Sequence, residues 1–209
     1  MICALEPERR ALAALAGPGV AIHRSGMGPD AAGACASAVL ADRPRALLAV
    51  GFCGALERDL EVGDLVAAER VVHENTGAAF PADEVLLAAA PGRRGTLVSA
   101  VAVARTPADR AALSGLAVDL ESATMARLAE EAGVPFLALR AVTDRARDRV
   151  PAIEHAVGPD GVPRPGAVLR HVARHPRDLR PLLRLGRAAR RAGRSLESGL
   201  RTLLERIGA

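Results

Sequence analysis

The 209-residue chain contains no tryptophan, tyrosine or lysine, and its only aromatic residues are Phe52, Phe80 and Phe136. A core of ordinary size for one domain must therefore be built from alanine, valine and leucine, which are abundant in a sequence that is half hydrophobic. A coding bias toward arginine and alanine accounts for the missing lysine. Cysteine is scarce as well: Cys3, Cys35 and Cys53 are odd in number and scattered through apolar stretches. They fit buried thiols in a reducing compartment better than a disulfide framework or a zinc site. The five histidines show no ligand spacing, which argues against a metal hydrolase. There is no Gly-x-Ser-x-Gly elbow and no paired Cys/His site. No charge-free apolar run is long enough to span a bilayer, and Met1 leads directly into structured-looking sequence without a signal peptide. A cytoplasmic domain is the expectation.

The formal charge of +4 hides an asymmetry. Residues 164–209 hold 12 arginines against Asp178, Glu197 and Glu205, whereas residues 1–163 hold 16 against 21 acids. The body is mildly acidic and the tail strongly basic. An acidic body argues against nucleic acid as a partner, because phosphate binding needs cations on the binding surface.

Short apolar runs alternate with helical patterns. Strands are expected at Ile2–Leu5, Val20–Arg24, Ala46–Val50, Asp64–Val72, Gly95–Val103, Leu116–Leu120 and Pro135–Val142. Helices are expected at Pro7–Ala16, Asp30–Leu40, Thr106–Ser114, Glu121–Ala132, Ala167–His175 and Asp178–Ile207. Glycine turns are expected at Gly26–Pro29 and Gly51–Gly54. This alternation points to an α/β fold with a mostly parallel sheet flanked by helices and a ligand at the carboxyl ends of its strands. The proline- and glycine-containing stretch Val157–Gly166 marks a boundary between residues 1–157 and a C-terminal helical extension, 158–209, of the same domain.

In the last helix, Leu182, Leu185, Ala189, Ala192, Leu196, Leu200, Leu203 and Ile207 share one face, with arginines over the rest. Two readings stand: a helix packed on its own domain or a partner subunit, and a basic amphipathic helix at an anionic membrane. His171 and His175 join this basic face, while His23 and His73 are read as structural.

The chemistry-bearing residues gather at strand ends. Gly26-x-Gly28-x-x-Ala31 follows a strand and opens a helix, formally matching a dinucleotide fingerprint. The acid that should hold the ribose about 20 residues on is missing, since that strand ends Ala49-Val50-Gly51. What remains is a backbone able to approach a ligand closely. Asp119 and Glu121 alternate where a strand becomes a helix, so both point to one side. Asp144 ends a buried strand, and Glu6 and Glu8 follow the first strand. Carboxylates grouped at one sheet edge suit a hydroxylated substrate that develops positive charge.

Five stretches in order, spanning about residues 1–150, carry a resemblance: Cys3-Ala-Leu-Glu-Pro-Glu-Arg; Ser25-Gly-Met-Gly-Pro; Gly51-Phe-Cys-Gly-Ala-Leu with Val62-Gly-Asp-Leu-Val; Val118-Asp-Leu-Glu-Ser-Ala; and Pro135-Phe-Leu-Ala-Leu-Arg-Ala-Val-Thr-Asp. Together they resemble the purine nucleoside phosphorylase / methylthioadenosine nucleosidase superfamily. The short length and arginine-rich C-terminal helices look most like its hopanoid-associated branch. The resemblance implies a three-layer fold with a mixed, mostly parallel sheet, and cleavage of the N-glycosidic bond of a 5′-substituted adenosine such as adenosylhopane, releasing adenine. It implies that Asp144 protonates or hydrogen-bonds the purine, that Glu121 binds the ribose hydroxyls with Leu120 against the sugar, and that Glu8 activates water. Ser25, Gly26 and Gly28 would lie near the incoming water or phosphate, and Gly54 and Phe52 in the turn beside the base. It implies no metal or other cofactor, with inorganic phosphate the candidate co-substrate, and a homodimer or larger homo-oligomer.

The phosphorylases carry an arginine just before the second glycine turn and a serine within it, where this chain has Ala49 and Phe52. A phosphate site would have to recruit Arg9, Arg10, Arg24 or a partner's arginine, so the acceptor is left open between water and phosphate. The loop that covers the purine in nucleosidases is replaced by Ser99-Ala-Val-Ala-Val, and the short stretch 73–92 would leave the ribose 5′ side open to a bulky lipid. A methylthioadenosine/adenosylhomocysteine nucleosidase and a catalytically silent nucleoside-binding protein are the alternatives. The expected location is cytoplasmic, with residues 178–207 as a candidate peripheral contact at the inner membrane surface.

Overall fold

A computed structural model describes residues 1–158 and 160–208. Strands β1 (Ile2–Cys3), β2 (His23–Arg24), β3 (Leu47–Ala55), β4 (Leu65–His73), β5 (Ala79–Pro81), β6 (Arg93–Ser99), β7 (Ala117–Asp119) and β8 (Phe136–Asp144) form one mixed sheet. Helices α1 (Glu6–Leu12), α2 (Pro29–Ala41), α3 (Glu84–Ala89), α4 (Pro107–Ala111), α5 (Ser122–Ala132), α6 (Pro165–Arg174) and α7 (Leu179–Ile207) surround it. The sheet runs β2-β1-β3-β7-β6-β4-β5, and β8 pairs with both β3 and β4. The strands β3, β7, β6, β4 and β8 thereby close into a ring. Most pairings are parallel; β3–β7, β4–β5 and β4–β8 are antiparallel.

β3 and β8 lie side by side at the centre, paired in parallel from Leu47–Phe136 to Gly54–Asp144. Each reads as an almost unbroken apolar run because helices cover both faces of the sheet. On one side α2 meets α5 through Ala32, Ala36, Ala123, Ala126 and Ala129, small residues that let the two helices approach closely. On the other side α1, α3 and α7 cover Leu48, Val50, Leu137 and Leu139. This gives the expected three layers, packed with small aliphatic side chains.

Several expectations shift. The turn expected at Gly51–Gly54 is a continuation of β3, with a register irregularity between Cys53 and Gly54. Its glycines serve close approach of side chains rather than chain reversal. β6 ends at Ser99, short of Val103, and α4 spans Pro107–Ala111 alone, held by a capping box between Thr106 and Asp109. The edge strand β5 and helix α3 fill residues 79–89, where no element was expected; Asp83 caps α3 by accepting from the amides of Val85 and Leu86.

The last helix runs Leu179–Ile207, but its halves differ. Ala192, Leu196, Leu200 and Leu203 are buried against the sheet and α1. This part of the apolar stripe is therefore core and is not available to a membrane. His171 is also buried rather than on the basic face; its Nε2 lies 2.8 Å from the Asp178 carboxylate. The three cysteines are free, and burial pushes the Cys3 thiol up to about 12 and raises that of Cys53.

Candidate active site

The carboxyl ends of β1, β3, β7 and β8 converge on a cavity of about 160 Å³ lined by Glu8, Phe52, Gly54, Leu120, Glu121 and Asp144, among others. The chain turns from β1 into α1 at Leu5, which places Glu8 in the first helical turn facing inward, 2% exposed. Glu8 Oε2 accepts from the amides of Ala4 and Leu5 at 2.9 and 2.8 Å, and Oε1 accepts from the Phe52 amide at 2.7 Å. Burial raises the Glu8 pKa, opposed by Arg140 and these amides. Gly51 has φ +151°, and a Cβ there would lie 2.6 Å from Glu8 Oε1 and 2.7 Å from Arg140 Nη1. Only glycine leaves room for this packing of charged groups across β3.

β7 delivers Asp119 and the adjoining turn delivers Glu121, both 6% exposed. Glu121 Oε1 accepts from the Gly28 amide at 2.9 Å, joining the first glycine loop to the site. Burial, reinforced by the charge of Asp119, pushes the Glu121 carboxyl up to about 7. Asp119 is paired with Arg140 at 2.6 Å and accepts from the Ser122 hydroxyl at 2.5 Å. Arg140, 1% exposed in the middle of β8, also donates to Ser122 Oγ at 2.7 Å. Its Nε, among the described residues, is a buried donor with no partner.

At the other end of the cavity Asp144 Oδ1 accepts from the Thr143 hydroxyl at 2.8 Å, and Oδ2 accepts from Arg110. Arg110 is 2% exposed and also donates to the Ala104 and Arg145 carbonyls. Burial raises the Asp144 pKa, and Arg110 is the chief influence opposing it. A Cβ on Gly54 would stand 2.9 Å from Asp144 Oδ2, so this glycine too makes space for a carboxylate.

Glu8, Leu120, Glu121, Phe52, Gly54 and Asp144 thus line one cavity. Gly28 reaches the site through its amide. Ser25 and Gly26 flank it without lining it: the Ser25 hydroxyl donates to the Gly26 carbonyl at 2.8 Å. Glu6, grouped with Glu8 by sequence, stands apart. Arg9, Arg10 and Arg24 all converge on it and hold its carboxyl down at about 2, Arg9 most strongly. The arginines that a phosphate site would recruit are therefore already on Glu6, and the one arginine among the lining residues, Arg110, is on Asp144. Sequence reasoning missed Arg110, Arg140 and Ser122. For Arg140 a signal exists, an arginine inside an otherwise apolar strand; for Arg110, on a short polar helix, there is none.

A cavity flanked by Glu8, Asp119, Glu121 and Asp144, with two buried arginines behind the carboxylates, can stabilise a positively charged sugar-like group. Burial raises the pKa of Glu8, Glu121 and Asp144, the direction an acid working near neutral pH requires.

Residues 8–116 and 94–174 match the model of the phosphorylase superfamily. A 5′-methylthioadenosine/S-adenosylhomocysteine nucleosidase of Aeromonas salmonicida is 29% identical over 163 residues, covering 62% of this chain and 70% of that protein. Among solved structures, the same kind of nucleosidase from S. pneumoniae, with a transition-state inhibitor, superposes with TM-score 0.74 at 19% identity, covering 99% of this chain and 97% of the other. Futalosine hydrolase of Helicobacter pylori superposes with TM-score 0.73 at 15% identity, covering 98% and 95%. The fold is theirs, and the match of the family model along most of its length shows that the chain belongs to the phosphorylase superfamily.

Proposed function

We propose that the protein is a nucleosidase that hydrolyses the N-glycosidic bond of a 5′-substituted adenosine and releases adenine. The observation that carries this reading is the placement of Asp144, Glu121 and Glu8 around one cavity, the two glutamates buried and Asp144 half-buried, each held by defined donors. Asp144 gives its proton to purine N7 as the C1′–N9 bond breaks and its electrons move onto the base. Glu121 accepts hydrogen bonds from the ribose hydroxyls. Glu8 Oε2 is committed to two amides, but Oε1 holds only one and has a lone pair left for water. Glu8 takes a proton from that water as its oxygen bonds to C1′. Asp119 and Arg140 keep the charge balance behind the two glutamates.

Water fits better than phosphate as acceptor. A phosphate dianion would enter among carboxylates, with Arg9, Arg10 and Arg24 engaged by Glu6. The 5′ substituent is proposed to be a bulky lipid, as in adenosylhopane. No residue of 73–92 lines the cavity. A second cavity of about 270 Å³ adjoins it at Thr143, Asp144 and Val150, walled by Pro181, Leu185 and Ala188 of α7. A methylthioadenosine nucleosidase is the second reading, supported by the Aeromonas relative. The test is adenine release from adenosylhopane and from methylthioadenosine, each with and without phosphate. Phosphate-independent release from adenosylhopane is expected. Release only from methylthioadenosine would replace the substrate, phosphate dependence would replace the acceptor, and no release from either would leave a binding protein.

The membrane contact is proposed for the exposed face of α7. Leu179, Leu183, Arg187, Arg190 and Arg194 recur at three- and four-residue steps opposite the buried stripe, and the two leucines are 45% and 53% exposed. No helix among the described residues is long and apolar enough to cross a membrane, so the contact would be peripheral. The protein is expected to sediment with phosphatidylglycerol vesicles at low salt, and Leu179→Ser/Leu183→Ser to remain in the supernatant. If the wild type ignores such vesicles, or the double variant binds equally, this face has no membrane role.

A further inference from the structure

Arg110 has no place among the site residues expected from sequence, yet its side chain is fully engaged beside the cavity. It is a guanidinium 2% exposed, on the five-residue helix α4, and it spends its donors on three separate acceptors. Nε donates to the Ala104 carbonyl at 3.0 Å, Nη1 to the Arg145 carbonyl and Nη2 to Asp144 Oδ2. The two carbonyls belong to the segment before α4 and to the residue that follows Asp144, so the guanidinium is held by backbone as well as by the carboxylate it meets. Thr143 Oγ1 holds the other carboxylate oxygen, Oδ1, at 2.8 Å. Both oxygens are therefore located before any substrate arrives.

We propose that Arg110 is the positioning residue that makes Asp144 a competent acid, by fixing the carboxyl group and stabilising the carboxylate left once its proton has passed to the departing base. This rests on the nucleosidase reading above. The logic lies in two opposed effects. Partial burial disfavours the carboxylate and raises the Asp144 pKa; the guanidinium favours the carboxylate and makes release of the proton easier. Without Arg110 the carboxyl would release its proton less readily, and without burial it would be a more ordinary, ionised carboxylate. Other groups facing Asp144 cannot supply the same effect. Asp148 carries the wrong sign, the Cys53 thiol is held neutral by burial, Arg145 has its Nε on Glu61, and Arg149, Arg184, Arg187 and Arg191 line the adjoining cavity without, among the described residues, a hydrogen bond to Asp144. The proton that leaves Asp144 goes to N7, and no further reactant is needed.

The test is the pH profile of kcat for adenine release by the wild type and by Arg110→Gln, which keeps donors for the carbonyls but loses the charge. A drop of about 10- to 100-fold in kcat is expected, the scale of one hydrogen bond to a charged group. The alkaline limb should move to higher pH, because Asp144 without its cation holds its proton longer. KM should change much less than kcat. A folded Arg110→Gln whose kcat falls with the alkaline limb unmoved would reduce Arg110 to a structural brace and overturn the proposal, as would unchanged kcat. If Arg110→Gln does not fold, Arg110→Lys decides: it keeps the charge and loses the fork, so it should lose kcat several-fold with its limb near the wild-type position, and wild-type kcat would overturn the proposal. Failure of the nucleosidase reading itself looks different, since the wild type would then release no adenine at any pH.

Discussion

Replacing Asp144 with asparagine should lower kcat for adenine release by about 10²–10⁴-fold, the usual contribution of a general acid. The amide cannot donate a proton to the leaving base, yet it keeps the size of the carboxyl group, so the cavity and β8 should survive. The interaction lost is made as the bond breaks, so kcat and kcat/KM should fall together while KM stays near the wild-type value. Arg110 would lose its charged partner but keep the carbonyls of Ala104 and Arg145, which limits the structural cost. Steady-state kinetics with a thermal melt on the same preparation checks both halves. Full activity in a folded Asp144→Asn protein would remove Asp144 from the chemistry.

The second large effect is on stability. Arg140 is wholly enclosed, paired with Asp119 and bonded to Ser122, with Glu8 and Glu121 also within its field. Arg140→Leu would leave Asp119 as an uncompensated buried charge beside two further carboxyl groups. Breaking a buried pair from one side typically costs about 3–5 kcal/mol. For a chain of this length that corresponds to a fall of roughly 10 °C in Tm. Adding Asp119→Asn to Arg140→Leu should recover part of the loss, because the stranded charge is then gone. Denaturant or thermal unfolding of the single and double variants measures this. A loss under about 1 kcal/mol for Arg140→Leu would mean that the cluster is hydrated or uncharged.

These two residues also show what a sequence can and cannot reveal. Asp144, Glu121 and Glu8 were legible because each stands where a strand gives way to a helix or loop, and strand ends on one side of a sheet meet. The sheet flanked by helices was legible from the alternation of apolar runs and helical periods, and the three layers from the resemblance. The Gly51–Gly54 segment misled because two glycines in four residues usually mean a turn; here they make room for Glu8, Arg140 and Asp144 beside a continuous strand. The stripe on α7 was visible in full, but a helical period does not say what covers it, and the fold uses its C-terminal part as core. Arg110 was not legible at all. Its role depends on the loops that place α4 against the end of β8, and no local pattern encodes that contact. The same holds for the convergence of Arg9, Arg10 and Arg24 on Glu6, which turns three candidate phosphate ligands into partners of one carboxylate.

The central claim, hydrolysis of an adenosine's glycosidic bond, is tested most directly by the fate of the sugar. The protein should be incubated with the 5′-substituted adenosine in ¹⁸O-labelled water containing inorganic phosphate, and the sugar product examined by mass spectrometry. The predicted result is free adenine with a reducing sugar carrying one ¹⁸O at C1′. A sugar 1-phosphate, or no cleavage at all, would contradict it.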